Sequence, residues 1–185
     1  MKQISKITKV VAKISEVFHW VGTILLLCAT VCSLAAPQWV NKFVGFDAKE
    51  CCGANLNVYG FEVNAPYKNG SVDMKVFFVF GIGAVIIMTL MAMIFRNIYL
   101  IVKKSENSTP FQKDNVRMLR EIGIFSIAMP IVGFIMNTII TLIFGVDQIE
   151  MSVNQLGIFM GIAVLCITQF FSRGMQLEED VEGLL

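Results

Sequence analysis

The sequence lacks charge over long stretches, and this absence excludes most classes of soluble protein. Charged residues make up 16% of the 185 residues, whereas about a quarter is usual in a soluble domain. Four stretches of 20 to 25 residues contain no Asp, Glu, Lys or Arg: 17–41, 76–95, 122–146 and 151–172. This composition excludes a disordered tail, a small secreted disulfide scaffold and an ordinary water-soluble enzyme, and it indicates a polytopic membrane protein.

The residues from which catalytic and metal sites are built are also scarce. His19 is the single histidine, and a metal site needs several ligands, so the sequence predicts no metal site. Phosphate-binding loops, nucleophile elbows and zinc motifs are absent. No Asp, Glu, Lys or Arg lies deep in a span, which argues against a proton-coupled pump or an ion channel. We therefore expect a protein that is not an enzyme and uses no cofactor.

The charge-free stretches are long enough to cross a bilayer as helices, since about 20 apolar residues span roughly 30 Å of hydrocarbon. A lone strand is excluded because it would leave backbone groups unpaired in lipid, and the alternating pattern of a membrane barrel is absent from the sequence. The sequence predicts an all-α membrane protein with four transmembrane helices and a small external cap between the first two. The predicted segments are a basic arm (1–16), a span (17–36), an external loop (37–75), a span with a cytoplasmic extension (76–104), a cytoplasmic loop with a basic helix (105–121), a span (122–146), a short external loop (147–152), a span (153–172) and an acidic cytoplasmic tail (173–185).

Lysine and arginine near the span ends predict the orientation. Eleven of them fall in the N-terminal arm, in the tail and between the second and third apolar stretches (residues 96–120), and four fall in the first loop. Because basic residues are retained on the cytoplasmic side, we expect a multi-pass cell-membrane protein with both termini in the cytoplasm. The first span has some features of a cleaved signal peptide, but sixteen residues precede its apolar run, which favours an uncleaved anchor.

Two segments next to the first span have amphipathic patterns. The basic arm has lysines on one face and aliphatic residues on the other, which predicts either a helix lying in the membrane interface or an extension of the span into the headgroups. In the first loop, alternating apolar residues and the turn signal at Asn69-Gly70 predict an ordered cap containing a hairpin. Trp39 and Phe43, at the start of this loop, fit an aromatic belt.

A few polar, small or thiol side chains in apolar or external positions are candidate functional residues. His19 and Gln169 lie near span ends, and Asn137 lies near the middle of the third span, where interhelical hydrogen bonding is expected. The small-residue spacing of Gly157 and Gly161 predicts close helix packing within the chain, with dimerisation as the alternative. The adjacent pair Cys51 and Cys52 falls in the predicted external loop, where oxidation, metal contact or an intermolecular bridge are alternatives to a structural role.

The predicted cytoplasmic face carries two helices of opposite charge. Thr109, Pro110 and Gln112 form a helix-start signal in which Pro110 takes the first helical position. The basic residues Lys113, Arg117 and Arg120 then share one face of the new helix. The tail reads as a short amphipathic helix that carries Glu178, Glu179, Asp180 and Glu182. These residues are the candidate partner-binding surface, either docked on one another or solvated separately.

Two sequence segments carry a family resemblance. They are Thr109-Pro110-Phe111 followed by NVRMLREIG at residues 115–123, and FSRGMQLEEDVEGL at residues 171–184. Together with four spans in a chain of this length, they resemble the bacterial membrane-protein family called domain of unknown function 2975. In that family an aromatic residue typically precedes the glycine of the ending, where this chain has Arg173. The Cys51-Cys52 pair is not a feature of the family.

The resemblance implies a bacterial cytoplasmic membrane, four helices and no known catalytic residues. It also implies a partner, because members are often encoded beside a small Cro-like helix-turn-helix regulator. With charge concentrated on cytoplasmic helices, we expect a membrane regulator or sensor that binds a soluble partner and makes no direct contact with nucleic acid. The alternatives are a small transporter or immunity-type subunit binding a ligand near Asn137, and an envelope redox protein using Cys51 and Cys52.

Overall fold

The computed structural model describes residues 2–44, 54–68, 71–106, 112–145 and 155–182. Within these ranges the chain forms five helices and four short strands. In chain order they are α1 (Lys2–Ala35), α2 (Pro37–Val44), β1 (Ala54–Val58), β2 (Phe61–Ala65), β3 (Tyr67–Lys68), β4 (Ser71–Val72), α3 (Met74–Lys104), α4 (Lys113–Phe144) and α5 (Gln155–Glu182).

Four of the helices, α1, α3, α4 and α5, are long and apolar enough to cross a membrane. This confirms the predicted all-α fold with four membrane-compatible helices. Only 11% to 44% of the most apolar stretch of each helix is buried inside the chain. Many of the remaining apolar side chains, such as Leu142 and Phe170, are exposed. Because so many exposed apolar side chains are unfavourable in water, the helices are suited to a lipid environment, as in a multi-pass membrane protein.

The helix bounds differ from the prediction at two places. The basic arm and the first span form one continuous helix, α1. The helix α4 begins at Lys113, and the Gln112 carbonyl accepts a hydrogen bond from the Val116 amide at 3.0 Å. The start is therefore later than Pro110 predicts, and residues 107–111 lie outside the described ranges.

The second difference concerns the tail, which is not a separate helix. The helix α5 continues without interruption from the span to Glu182. The acidic residues of the tail therefore lie on the same helix as the span. Pro130 lies inside α4, which continues through it.

By their internal contacts the residues form two compact units. Unit 1 comprises Met1–His19, Leu90–Ala128 and Gln155–Leu185, and unit 2 comprises Trp20–Thr89 and Met129–Asn154. Each unit is described separately below.

Unit 2 contains the cap, defined here as the two hairpins of residues 54–72. Strands β1 and β2 pair in antiparallel register from Ala54↔Ala65 to Val58↔Phe61. Tyr59 and Gly60 connect them with φ angles of 53° and 83°, the positive values that a tight two-residue hairpin turn requires. The expected hairpin is thus present, and its turn lies at Tyr59-Gly60. The Asn69-Gly70 signal falls between β3 and β4, outside the described residues.

The core of unit 2 forms where the cap packs against α3 and α4. Strand β2 alternates buried and half-buried residues, as expected for a strand with one face on a core. The Phe61 ring stacks on Phe80 with 4.8 Å between ring centroids. The buried apolar cluster comprises Ala54, Phe61, Val63, Ala65, Val72, Val76, Phe80, Ala84, Ile87, Met136 and Ile140.

Unit 1 is held by helix packing and by ion pairs near helix ends. A Cβ atom added to Gly161 would lie 2.8 Å from the Gly123 carbonyl oxygen, so α4 and α5 approach closely at this pair of glycines. The apolar side chains buried in unit 1 are Ala12, Ala92, Ile94, Val116, Met118 and Ile122. Gly161, one of the two glycines predicted for helix packing, therefore makes its close contact with a helix of the same chain.

Candidate functional site

The basic residues predicted for partner binding lie together on one exposed face at the start of α4. Lys113, Arg117 and Arg120 are exposed, whereas Asn115, Val116, Met118 and Ile122 on the same helix are buried. The helix therefore holds its position through one face and presents positive charge on the other. We call Lys113, Arg117 and Arg120 the basic face.

Two side-chain contacts near the basic face were not predicted from the sequence. Glu121 accepts a hydrogen bond from the Asn97 amide at 3.0 Å, and its other oxygen lies 3.6 Å from Arg117 Nε. The spacing of Arg117 and Glu121 is that of an i,i+4 helix pair and could have been identified. The contact between Asn97 and Glu121 could not have been identified, because nothing in the local sequence of an apolar helix indicates which carboxylate a buried amide contacts.

A second ion pair joins the end of α3 to the start of α4. Lys104 Nζ lies 2.5 Å from Asp114 Oδ2. The hydrogen bond from Lys104 lowers the pKa of Asp114 below its usual value. The carboxylate is therefore ionised at neutral pH, and any contribution of this pair to stability is lost only as the pH falls through that lowered pKa.

The acidic tail residues lie on the last turns of α5. Asp180 is exposed and Glu178 is half-buried, while the side chains of Glu179 and Glu182 lie outside the described part of the structure. Leu177 and Val181 on the same turns are also exposed. The tail thus offers both carboxylates and apolar side chains at its surface.

His19 lies in a packed environment on α1. Its side chain is buried, Nδ1 donates a hydrogen bond to the Ser15 carbonyl at 2.6 Å, and its ring centroid lies 5.0 Å from that of Phe95. The nearby Glu16 is also buried and pairs with Lys13 at 3.0 Å. Sequence reasoning missed this buried carboxylate, although the i,i+3 spacing from Lys13 was visible.

Among the described residues of unit 2, Asn137 is the buried polar residue with an unsatisfied atom. Its side chain is 5% exposed, and its Oδ1 is buried without a hydrogen-bond partner. It lines a cavity of about 10 Å³, together with the Tyr59-Gly60 turn, Pro130 and Gly133. Such a volume holds about one water molecule. Gln169, the other predicted intramembrane amide, is exposed on α5.

This environment leads to a prediction for Asn137→Leu. Because a buried, unpaired oxygen is replaced by an apolar side chain of similar size, the free energy of unfolding should change by less than about 1 kcal/mol. Asn97→Leu is the matched control, since Asn97 is buried to the same degree but donates to a carboxylate. It should cost about 1.5–3 kcal/mol. Thermal unfolding in detergent measures both, and equal losses would show that Asn137 makes a polar contact the protein needs.

The other predicted residues divide between described and undescribed regions. Gly161 contacts α4 as given above, and Gly157 lies one turn earlier on α5. Cys51 and Cys52 lie outside the described residues. Within the residues that the structure covers, no three His, Cys, Asp or Glu side chains group together in a way that could hold a metal ion.

Comparisons with known proteins give no relative. No protein-family model matches the chain, and no curated protein or solved structure matches it either.

Proposed function

We propose that this protein is a non-enzymatic regulator in a bacterial cell membrane that recruits a soluble cytoplasmic protein through its basic face. The proposal places both termini and the second loop in the cytoplasm. Eleven of the fifteen lysine and arginine residues lie in those segments and in the cytoplasmic extension of the second span, which supports this orientation. The cap then lies on the external side of the membrane, where it can respond to envelope conditions.

The observation that carries the proposal is the way α4 presents its charges. Three basic side chains share an exposed face of a helix whose opposite face is buried. Because packing of the buried face of α4 already fixes the basic face in position, binding of a partner does not have to order it first, which lowers the entropic cost of binding. Its chemistry suits a protein with an acidic surface patch.

The family resemblance suggests the class of that partner. A small helix-turn-helix regulator has a basic DNA-reading surface and other surfaces free for protein contacts. Binding of an acidic patch on such a regulator to the basic face would hold it at the membrane. Neither step requires this chain to touch nucleic acid.

A photo-crosslinking experiment in native membranes tests the proposal. A crosslinking residue at Gln112, exposed beside the basic face, should capture a soluble cytoplasmic protein. The triple substitution Lys113→Gln, Arg117→Gln and Arg120→Gln should reduce that capture about tenfold, equivalent to about 1.4 kcal/mol. Raising the salt concentration should weaken capture by the parent chain, because exposed charge pairs are screened.

The matched control removes the same charge from the opposite predicted side. Lys42→Gln, Lys68→Gln and Lys75→Gln should leave the capture unchanged. The proposal fails if no soluble protein is captured from Gln112, or if both triple variants reduce capture equally.

The two alternative functions have less support. A ligand site between helices would use the surroundings of Asn137, but the cavity there has room for about one water molecule. Solute sites are usually some hundreds of Å³. The redox alternative depends on Cys51 and Cys52, so its support comes from the sequence alone.

A further inference from the structure

A groove of about 690 Å³ lies in unit 1 between the first turns of α1 and the end of α3. Its apolar lining comes from Ile4, Ile101 and Val102, and its positive charge comes from Lys6 and Lys9. The volume is in the range of sites that hold small organic ligands. Apolar walls beside two ammonium groups suit an amphiphilic anion.

The groove already binds an anionic group of the chain itself. Glu106 accepts hydrogen bonds from Lys9 Nζ at 2.6 and 2.8 Å and from Ser5 Oγ at 3.1 Å. These bonds keep the pKa of Glu106 below its usual value. Lys9 and Ser5 therefore converge on one position where oxygen anions are stabilised, and a phosphate offers the same acceptor geometry.

The depth of the groove points to a lipid as the source of that anion. Lys9 is 26 residues before the end of α1 at Ala35, a rise of about 39 Å. With about 30 Å of hydrocarbon counted from Ala35, Lys9 stands about 9 Å beyond its edge, a distance that a lysine stem can bridge to the headgroups. Ile101 and Val102, near the end of α3, line the groove with apolar side chains at the same place as Lys9.

We propose that this groove is a binding site for an anionic phospholipid. The lipid phosphate takes the place of the Glu106 carboxylate as the acceptor for Lys9 and Ser5. Ile101 and Val102 contact the apolar side of the glycerol region. This lipid site is independent of the basic face and of the partner proposed above.

Native mass spectrometry of the full chain in mild detergent tests the site, with phosphatidylglycerol and phosphatidylcholine as probes. Phosphatidylglycerol should bind more tightly. Lys9→Gln should weaken its binding about fivefold, the effect of one lysine at an anionic surface. Glu106→Gln should strengthen the binding, because it removes the competing carboxylate while keeping the side-chain size.

The Lys104–Asp114 pair provides matched controls, since it is an exposed ion pair of the same kind whose residues do not line the groove. Lys104→Gln and Asp114→Asn make the same charge changes and should leave lipid affinity unchanged. If they shift affinity as Lys9→Gln and Glu106→Gln do, only net charge matters and the site is refuted. Equal binding of the two lipids would also refute it.

Two competition arms identify other occupants. Inorganic phosphate that displaces phosphatidylglycerol at millimolar concentration would assign the groove to a soluble phosphate. If an acidic peptide displaces the bound lipid at a lower concentration than added phosphatidylglycerol does, the groove would be assigned to a protein. Either result overturns the lipid assignment, whereas displacement by neither supports it.

Discussion

Phe61→Ala should lower the free energy of unfolding by about 3–5 kcal/mol, the usual range for deleting a buried aromatic ring. Phe61 is 2% exposed, and its ring stacks on Phe80 of α3. A Cβ added to Gly83 would lie 2.9 Å from the Phe61 ring, so α3 has no side chain at the point where the ring enters. The surrounding helices cannot collapse into the space that alanine leaves, because they are held by their own packing.

The measurement is thermal unfolding in detergent, followed by the loss of helical circular dichroism. Phe170→Ala is the matched control, since it makes the same chemical change at a side chain that is 70% exposed. It should change the free energy of unfolding by no more than about 0.5 kcal/mol. If the two variants lose the same stability, the cap does not contribute to the core of unit 2 as described.

The position of Phe61 shows where sequence reasoning succeeds and where it ends. The alternation of apolar residues around Phe61 predicts a strand, because side-chain period is a local property. The Tyr59-Gly60 turn is less visible, since Tyr59 takes a positive φ that few residues other than glycine adopt. The glycines of α3 and α4 that receive the ring are 22 and 72 residues away in sequence, and no local pattern connects them.

The candidate sites divide in the same way. The basic face follows from the spacing of Lys113, Arg117 and Arg120, which is helical and therefore local. The lipid groove depends on contact between Ser5 and Glu106, which are 101 positions apart. Composition predicts that basic and acidic residues share one side of the membrane. It does not predict which pairs form, because that depends on how the helices pack.

Gly161→Ala gives the second large expected effect. The new Cβ would lie 2.8 Å from the Gly123 carbonyl oxygen and 3.1 Å from the Ile127 amide nitrogen. Both atoms are backbone, so the strain cannot be relieved by a side-chain rotation, and α4 and α5 would have to separate. Overpacking of this kind costs about 1–3 kcal/mol. Thermal unfolding in detergent should show the loss directly.

Gly133→Ala is the matched control on α4. Its Cβ would lie 3.5 Å from the nearest atom, Phe61 Cβ, which is ordinary van der Waals contact. Alanine should therefore leave stability unchanged or raise it by up to about 1 kcal/mol through its higher helix propensity. Equal effects of the two substitutions would mean that α4 and α5 do not meet at Gly161.

The Gly161→Ala variant also distinguishes packing within the chain from self-association. Because Gly123 and Gly161 contact each other within one chain, Gly161→Ala should lower stability without changing the molecular mass of the protein in detergent. Light scattering measures that mass. A variant that keeps the parental unfolding temperature but dissociates into smaller particles would place Gly161 at an interface between copies, where close approach of small residues also drives helix association.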